Sequence, residues 1–213
     1  VFYVICLLLN TYILSKEIGG IEKVAKVGMP LLIIFGVVLA VRGLTLGTSG
    51  ASDIFPDANA WDGLNFLWTP HYESILDLKV WMAAAGQIFF TLSVGMGTIH
   101  CYAAYIDSKD DIALNAVSAG FMNEFVEVVL GSLIVIPIAA GYLGLDWVIQ
   151  NAGFGMAFQT MPYLFQQWGS TLAIIAGVCW FGLLFFAGIT SSLAMGTPWM
   201  GFMRDEFNKN KNK

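Results

Sequence analysis

Charge is what this sequence has least of. Of its 213 residues, 10 are Lys or Arg and 15 are Asp or Glu, so charged residues make up only 12%, about half the share usual in a soluble domain. With 57% hydrophobic residues and a mean hydropathy of +0.72, a water-soluble fold is excluded, and lipid must solvate part of the surface. The shortage is greatest on the basic side. A net charge of −5 and a pI near 4.8 exclude the basic face that a nucleic-acid partner requires. Cysteine is nearly absent. Cys6, Cys101 and Cys179 each sit in an apolar run, too few and too scattered for a disulfide framework or a metal cluster. They read as small buried hydrophobes. No nucleophile–base pair and no metal motif occurs, so an enzyme is not expected. No signal peptide is visible: Val1 already lies inside an apolar run with no charged flank ahead of it, and the expectation is a fragment cut from a longer protein.

What the sequence does have is long apolar runs. Five stand out. Residues 1–14 are apolar but short of the ~20 residues that a span needs. A polar stretch, 15–26, carries Lys16, Lys23 and Lys26. The second run is 27–46, with Arg42 near its far end, where its side chain can snorkel to the interface. A loop over 47–79 holds Trp61, Phe66, Trp68 and Tyr72, suited to an interfacial belt. The third run, 80–106, carries no Asp, Glu, Lys or Arg, and a charged turn at 107–111 ends it. The fourth, 112–145, is interrupted by Glu124 and Glu127. Residues 147–203 are uncharged and too long for one helix. Gly153, Gly155, Pro162 and Gly169 break the first part into a re-entrant or surface loop, which leaves 170–203 as the fifth run and 204–213 as a polar, flexible tail. The spans must be helical, because lipid satisfies no backbone hydrogen bonds. Lys and Arg favour the cytoplasmic side. That rule puts 15–26, 107–111 and 204–213 inside, and the loops at 47–79 and 146–168 outside. The fold class is therefore all-α, a polytopic transmembrane bundle.

Candidate chemistry sits in three of these runs. In the third, Ser93, Gly95 and Gly97 fall near mid-span. Glycine lowers the cost of leaving helical geometry, and freed carbonyls at membrane depth can hold Na⁺; close helix packing through small residues explains the same pattern. In the fourth, Asn123, Glu124 and Glu127 are spaced to share a helix face. A charge at the bilayer centre costs roughly 2.5–3.5 kcal/mol on insertion scales, which points the carboxylates at a functional interior, or else at an interface or a protonated, hydrogen-bonded state. In the fifth, Ala187, Thr190 and Ser191 offer oxygens on one turn, although a hydroxyl bonding back to its own helix is the ordinary reading. His100 reads as a neutral packing residue.

Four collinear stretches carry a resemblance. GQIFFTLSVGMGTIHCYAAY from Gly86 resembles the broken sixth helix of the neurotransmitter:sodium symporters, a family in which discontinuous helices carry the binding sites. NEFVEVVLG from Asn123 resembles its seventh helix, FAGITSSLA from Phe186 its eighth, and GGIEKVAKVGMP from Gly19 the start of its fifth. The resemblance implies the end of helix four through helix eight of about twelve, in a fold of inverted repeats that the chain straddles. It implies sodium-coupled symport of a hydrophobic amino acid across the inner (plasma) membrane, with two Na⁺ sites that helices outside this chain complete. Thr91 and Asn123 would serve the first Na⁺; Ala187 (through its carbonyl), Thr190 and Ser191 the second. Phe90, Thr91, Ser93, Met96, Ser191 and Met195 would line the substrate pocket. Tyr105 and Asp205 match inner-gate positions. Gly20 and Pro30 match a spacing linked to local unwinding of helix five, where ordinary helix initiation at Pro is the alternative. Glu127 stands where chloride-dependent members carry a small neutral residue, so a chloride requirement is not expected. Met96 replaces a frequent phenylalanine and favours a broader substrate range. Thr197 replaces a frequent glutamine near the inner gate. The competing readings are a non-transporting sensor or scaffold of the same fold, and a channel, against which the clustering of polar groups near mid-membrane argues.

Overall fold

The computed structural model describes residues 1–46, 57–151 and 153–209, with the side chains of Glu17, Asn208 and Lys209 left aside. Among the described residues every regular element is helical. The order is α1 (Phe2–Leu14), α2 (Glu17–Leu44), α3 (Ala60–Trp68), α4 (Leu78–Thr91), α5 (Thr98–Ala103), α6 (Ile112–Glu124), α7 (Ser132–Leu143), α8 (Leu145–Gln150), α9 (Met161–Phe165) and α10 (Ser170–Lys209). Short 3₁₀ turns lie at Tyr72–Leu76 and Gln166–Trp168, and π-helical segments at Phe125–Gly131 and Met156–Thr160. Three stretches are long and apolar enough to cross a membrane: Ile18–Leu44, Ile112–Leu143 and Ser170–Phe207. The third apolar run is no single helix, because it breaks between α4 and α5 as its glycines suggested.

Two boundaries differ from the sequence reading. Most of the polar stretch 15–26 belongs to the second long helix. α2 begins at Glu17 and is continuous to Leu44, with Pro30 well inside it. Glu22 and Lys26 pair across one turn at 2.6 Å, so polar residues here decorate a helix rather than interrupt it. Pro30 does not initiate the helix, since α2 already runs through it from Glu17. The polar tail also starts as helix, since α10 runs on to Lys209; residues 210–213 lie outside the described residues, as do 47–56 of the long loop. The 147–168 region resolves into short helices with only Ala152 outside the description.

The chain divides into two compact units. The first comprises Val1–Pro30, Glu73–Gly120 and Phe185–Lys213; the second comprises Leu31–Tyr72 and Phe121–Leu184. In the first unit a small core forms from Ile13, Ile21, Ile189 and Leu193, with Leu9, Leu14 and Val24 against it. Glycine permits the close approaches: a Cβ at Gly28 would lie 2.8 Å from Phe186 Cδ1, and one at Gly196 2.7 Å from Leu14 Cδ1. α4 buries no residue, and Trp81, Met82, Phe89 and Phe90 are exposed on it. In water such a surface would drive association, whereas a bilayer solvates it.

The second unit has the larger core, built on Leu39, Ile134, Ile138, Met161, Leu164, Phe165 and Trp180. α3, capped by the Asn59 side chain accepting from Trp61 N–H at 2.9 Å, packs on α7. Gly63 makes that possible, because a Cβ there would stand 2.7 Å from Ile136 Cγ2 and 2.9 Å from Ala140 Cβ. α2 meets α7 by a similar device. Pro137 has no N–H, so the Leu133 carbonyl loses its helical donor. Gly43 of α2 abuts that carbonyl so closely that a Cβ would lie 2.9 Å from it. Small residues that let backbones touch are the usual means of helix association in lipid.

Candidate functional site

The break between α4 and α5 has a defined origin. α4 is capped at its start by Asp77, whose side chain accepts from Lys79 N–H at 2.9 Å. Its other end closes with two crossed bonds: Ser93 N–H donates to the Phe90 carbonyl at 3.1 Å and Val94 N–H to the Phe89 carbonyl at 2.9 Å. This is the Schellman pattern, which needs a left-handed residue just past the cap. Ser93 fills that position at φ 54°, and Gly95 and Gly97 follow at 85° and 81°. Gly97 then caps α5. Within the third apolar run the chain thus leaves its helix and re-enters another within six residues, 92–97. Such backbone is tolerated at membrane depth only where it lines protein or a water cavity.

The two strained positions predict opposite responses. Ser93→Gly is expected to raise thermal stability by up to about 1 kcal/mol, because a non-glycine residue in the left-handed region costs roughly 1–2 kcal/mol. Gly97→Val is expected to lower it by a similar amount. The space at Gly97 is open, with only Pro198 Cγ at 4.0 Å from an added Cβ, so the cost is conformational. Melting curves of the purified full-length protein decide this, and two equal melting temperatures would refute it.

Of the candidate substrate residues, Phe90 and Thr91 end α4, Ser93 and Met96 lie in the break, and Ser191 and Met195 lie on α10. All six belong to the first unit. Phe90, Met96 and Met195 are exposed at 67%, 41% and 59%, so their apolar surface is available to a ligand or to further chain. The break approaches α10 at Gly97 and Pro198.

Ala187, Thr190 and Ser191 converge. Thr190 Oγ1 donates to the Phe186 carbonyl at 2.8 Å or the Ala187 carbonyl at 3.1 Å, and Ser191 Oγ donates to the Ala187 carbonyl at 3.0 Å. A hydroxyl whose proton points into its own helix keeps its lone pairs as acceptors. The back-bonding is therefore the ordinary arrangement for such residues, and it also leaves both hydroxyl oxygens able to receive a cation. Thr91 falls in the first unit and Asn123 in the second.

Asn123 and Glu124 are the last residues of α6, and Glu127 lies in the π-helical segment that follows. π-segments inside α-helices occur frequently at functional sites. Glu127 lines a largely apolar cavity of about 750 Å³ with Ser132, Val135, Ile149, Gly153 and Met156 among its walls. One Glu124 carboxylate oxygen is enclosed without a hydrogen-bond partner among the described residues.

At the other end of the first unit, Tyr105 lines a cavity of about 120 Å³ with Ile18, Thr197, Met200 and Arg204. Thr197 is buried and its Oγ1 donates to the Leu193 carbonyl at 2.9 Å. The cavity wall beside Tyr105 includes Arg204, the chain neighbour of Asp205. His100 lies on α5 and is exposed.

Comparison with known proteins agrees with this architecture. The model of the sodium:neurotransmitter symporter family matches residues 2–213. The chain is 30% identical over 207 residues to an uncharacterized sodium-dependent transporter of Methanocaldococcus jannaschii, an alignment covering 94% of the chain and 39% of the relative. It is 31% identical over 199 residues to an uncharacterized sodium-dependent transporter of Haemophilus influenzae, covering 92% of the chain and 39% of the relative. A human sodium-dependent neutral amino acid transporter is 30% identical over 155 residues, covering 70% of the chain and 20% of the relative. The chain thus spans about 39% of the length of the first two relatives.

Proposed function

The chain belongs to the sodium:neurotransmitter symporter family, a family of membrane transporters rather than enzymes, and from that premise we propose that it is the central part of a transporter that moves a hydrophobic amino acid inward with sodium and without chloride. In this reading it runs from the end of helix four through helix eight. The loops at 47–79 and 146–168 face outside, and 204–213 faces the cytoplasm of a multi-pass protein of the inner (plasma) membrane.

The observation that carries the reading is the mid-span break, with Ser93, Gly95 and Gly97 in the left-handed region. The break ends one helix and starts another at the depth where a substrate must be held. It supplies free backbone groups there that can hold an ion or a substrate. Thr91 and Asn123 serve one Na⁺; the Ala187 carbonyl, Thr190 and Ser191 serve a second. Segments outside this chain complete both. Phe90, Thr91, Ser93, Met96, Ser191 and Met195 contact the substrate. Tyr105 and Asp205 act at the inner gate. Glu127 supplies the negative charge that chloride supplies elsewhere. The human neutral amino acid transporter similar to this chain supports the substrate class, and flexible Met96 in place of a rigid ring supports a broad hydrophobic range.

The test uses the full-length protein, reconstituted in vesicles with labelled leucine or tryptophan. Binding and uptake are expected with sodium outside and are expected to vanish when potassium replaces it. Tight binding indifferent to sodium would overturn the symporter reading in favour of a sensor or scaffold of the same fold.

A further inference from the structure

We propose that Arg42 is a positioning residue: its guanidinium stacks on Trp168 and latches the 145–168 segment, which forms one wall of the cavity holding Glu127. The inference rests on the transporter reading only for its consequence in transport; the latch itself stands on geometry within the second unit. A snorkelling arginine would put its whole head group in water. Here Cζ of Arg42 lies 4.9 Å from the centre of the Trp168 ring. One Nη contacts Thr45 Oγ1 at 3.4 Å, and Nε is enclosed without a hydrogen-bond partner among the described residues. A donor withdrawn from water in this way is costly, and the attraction between cation and ring face is what offsets it.

The stack continues inward. Trp168 packs on Phe165 with ring centres 5.1 Å apart, and Phe165 meets the edge of Trp180 at 6.2 Å. Phe165 is 1% exposed. Trp180 Nε1 donates to the Ala157 carbonyl at 2.9 Å. One continuous series of contacts therefore joins the end of α2 to the last turn of the 145–168 segment, to α10 and back to that segment's middle. By contrast Phe154, near the middle of the segment, is 86% exposed. Leu145, Val148, Ile149, Met156 and Ala157 of the same segment line the cavity beside Glu127 and Ser132. Loosening the Arg42 contact frees the wall at its base, so it changes access to the cavity rather than the groups inside it.

The experiment reads access directly. In the full-length protein, with exposed cysteines replaced, Ser132→Cys is labelled with a membrane-impermeant thiol reagent, and Arg42→Gln, Arg42→Lys and Trp168→Phe are added one at a time. Arg42→Gln is expected to raise the labelling rate by about tenfold, the equivalent of about 1.4 kcal/mol. Arg42→Lys keeps the charge but loses the planar stack, and is expected to fall between. Trp168→Phe is expected to raise the rate, and combined with Arg42→Gln to add little, since both remove one contact. Unchanged labelling in Arg42→Lys and Trp168→Phe, with normal melting temperatures, would overturn the latch. Should Arg42→Gln fail to fold, those two variants carry the test. Labelling needs no sodium gradient or substrate, so its result is separate from that of the uptake assay.

Discussion

Changing Glu127 to serine in the full-length protein is expected to convert chloride-independent uptake into uptake that depends on chloride. Glu127 is a carboxylate in a π-helical segment, on the wall of a largely apolar cavity. It is set one helical turn beyond Asn123. A unit charge about 5 Å from a bound cation, at an effective dielectric constant near 20, contributes on the order of 3 kcal/mol. Removing it should therefore weaken sodium-coupled uptake in chloride-free medium by well over tenfold. Serine leaves room and a hydroxyl donor for a small anion, so adding chloride should restore much of the loss. Glu127→Gln fills the space without the charge and should be rescued poorly. The decisive comparison is the initial rate of uptake with chloride replaced by gluconate, for the native protein and both variants. A native protein that needs chloride, or a Glu127→Ser variant as active as the native one without it, would remove the chloride-substituting role.

The second large effect is expected at Thr190. Thr190→Val keeps the shape and the branched side chain but deletes the hydroxyl. If the only role of that hydroxyl were its bond back to the Phe186 and Ala187 carbonyls, the change would be nearly neutral, since such back-bonds do not stabilise helices. If the oxygen also faces a sodium ion, a charge-assisted contact of about 1.5–3 kcal/mol is lost. The sodium concentration for half-maximal substrate binding then rises by about ten- to a hundredfold. Thr190→Ser retains the oxygen and should stay near the native value. Equilibrium binding of labelled substrate across a sodium titration separates these outcomes, and an unshifted titration for Thr190→Val would refute the second sodium site as drawn here. Melting temperatures of the three proteins should agree, because the residue is only half-buried.

Much of this molecule was legible in its residues alone. Long uncharged runs determine that the protein lives in lipid, and lipid in turn dictates helices, because nothing there can pair an open backbone. The spacing of Ser93, Gly95 and Gly97 marked where a helix would be weakest, and the chain does break there. The two carboxylates in the fourth run marked an interior face, because charge is costly against hydrocarbon. Boundaries were less legible. The polar stretch 15–26 was set apart from the second apolar run, yet from Glu17 on it forms the first turns of α2, because a helix needs hydrogen bonds and propensity rather than apolar side chains.

What only the tertiary structure decided are the relations between distant residues. Pro137 leaves the Leu133 carbonyl without its helical donor, and Gly43, far along the chain, packs against it. Arg42 looked like a snorkelling charge; Trp168, far along the chain, captures it. Arg204 lines the cavity beside Tyr105, because the helix carrying it has a particular rotation against its neighbours. The physical reason is the same in each case. Solvation and backbone strain act on each residue where it stands, so the sequence by itself determined the membrane class and the break. Which side chains meet depends on how whole helices pack, and that is a property of the assembled chain.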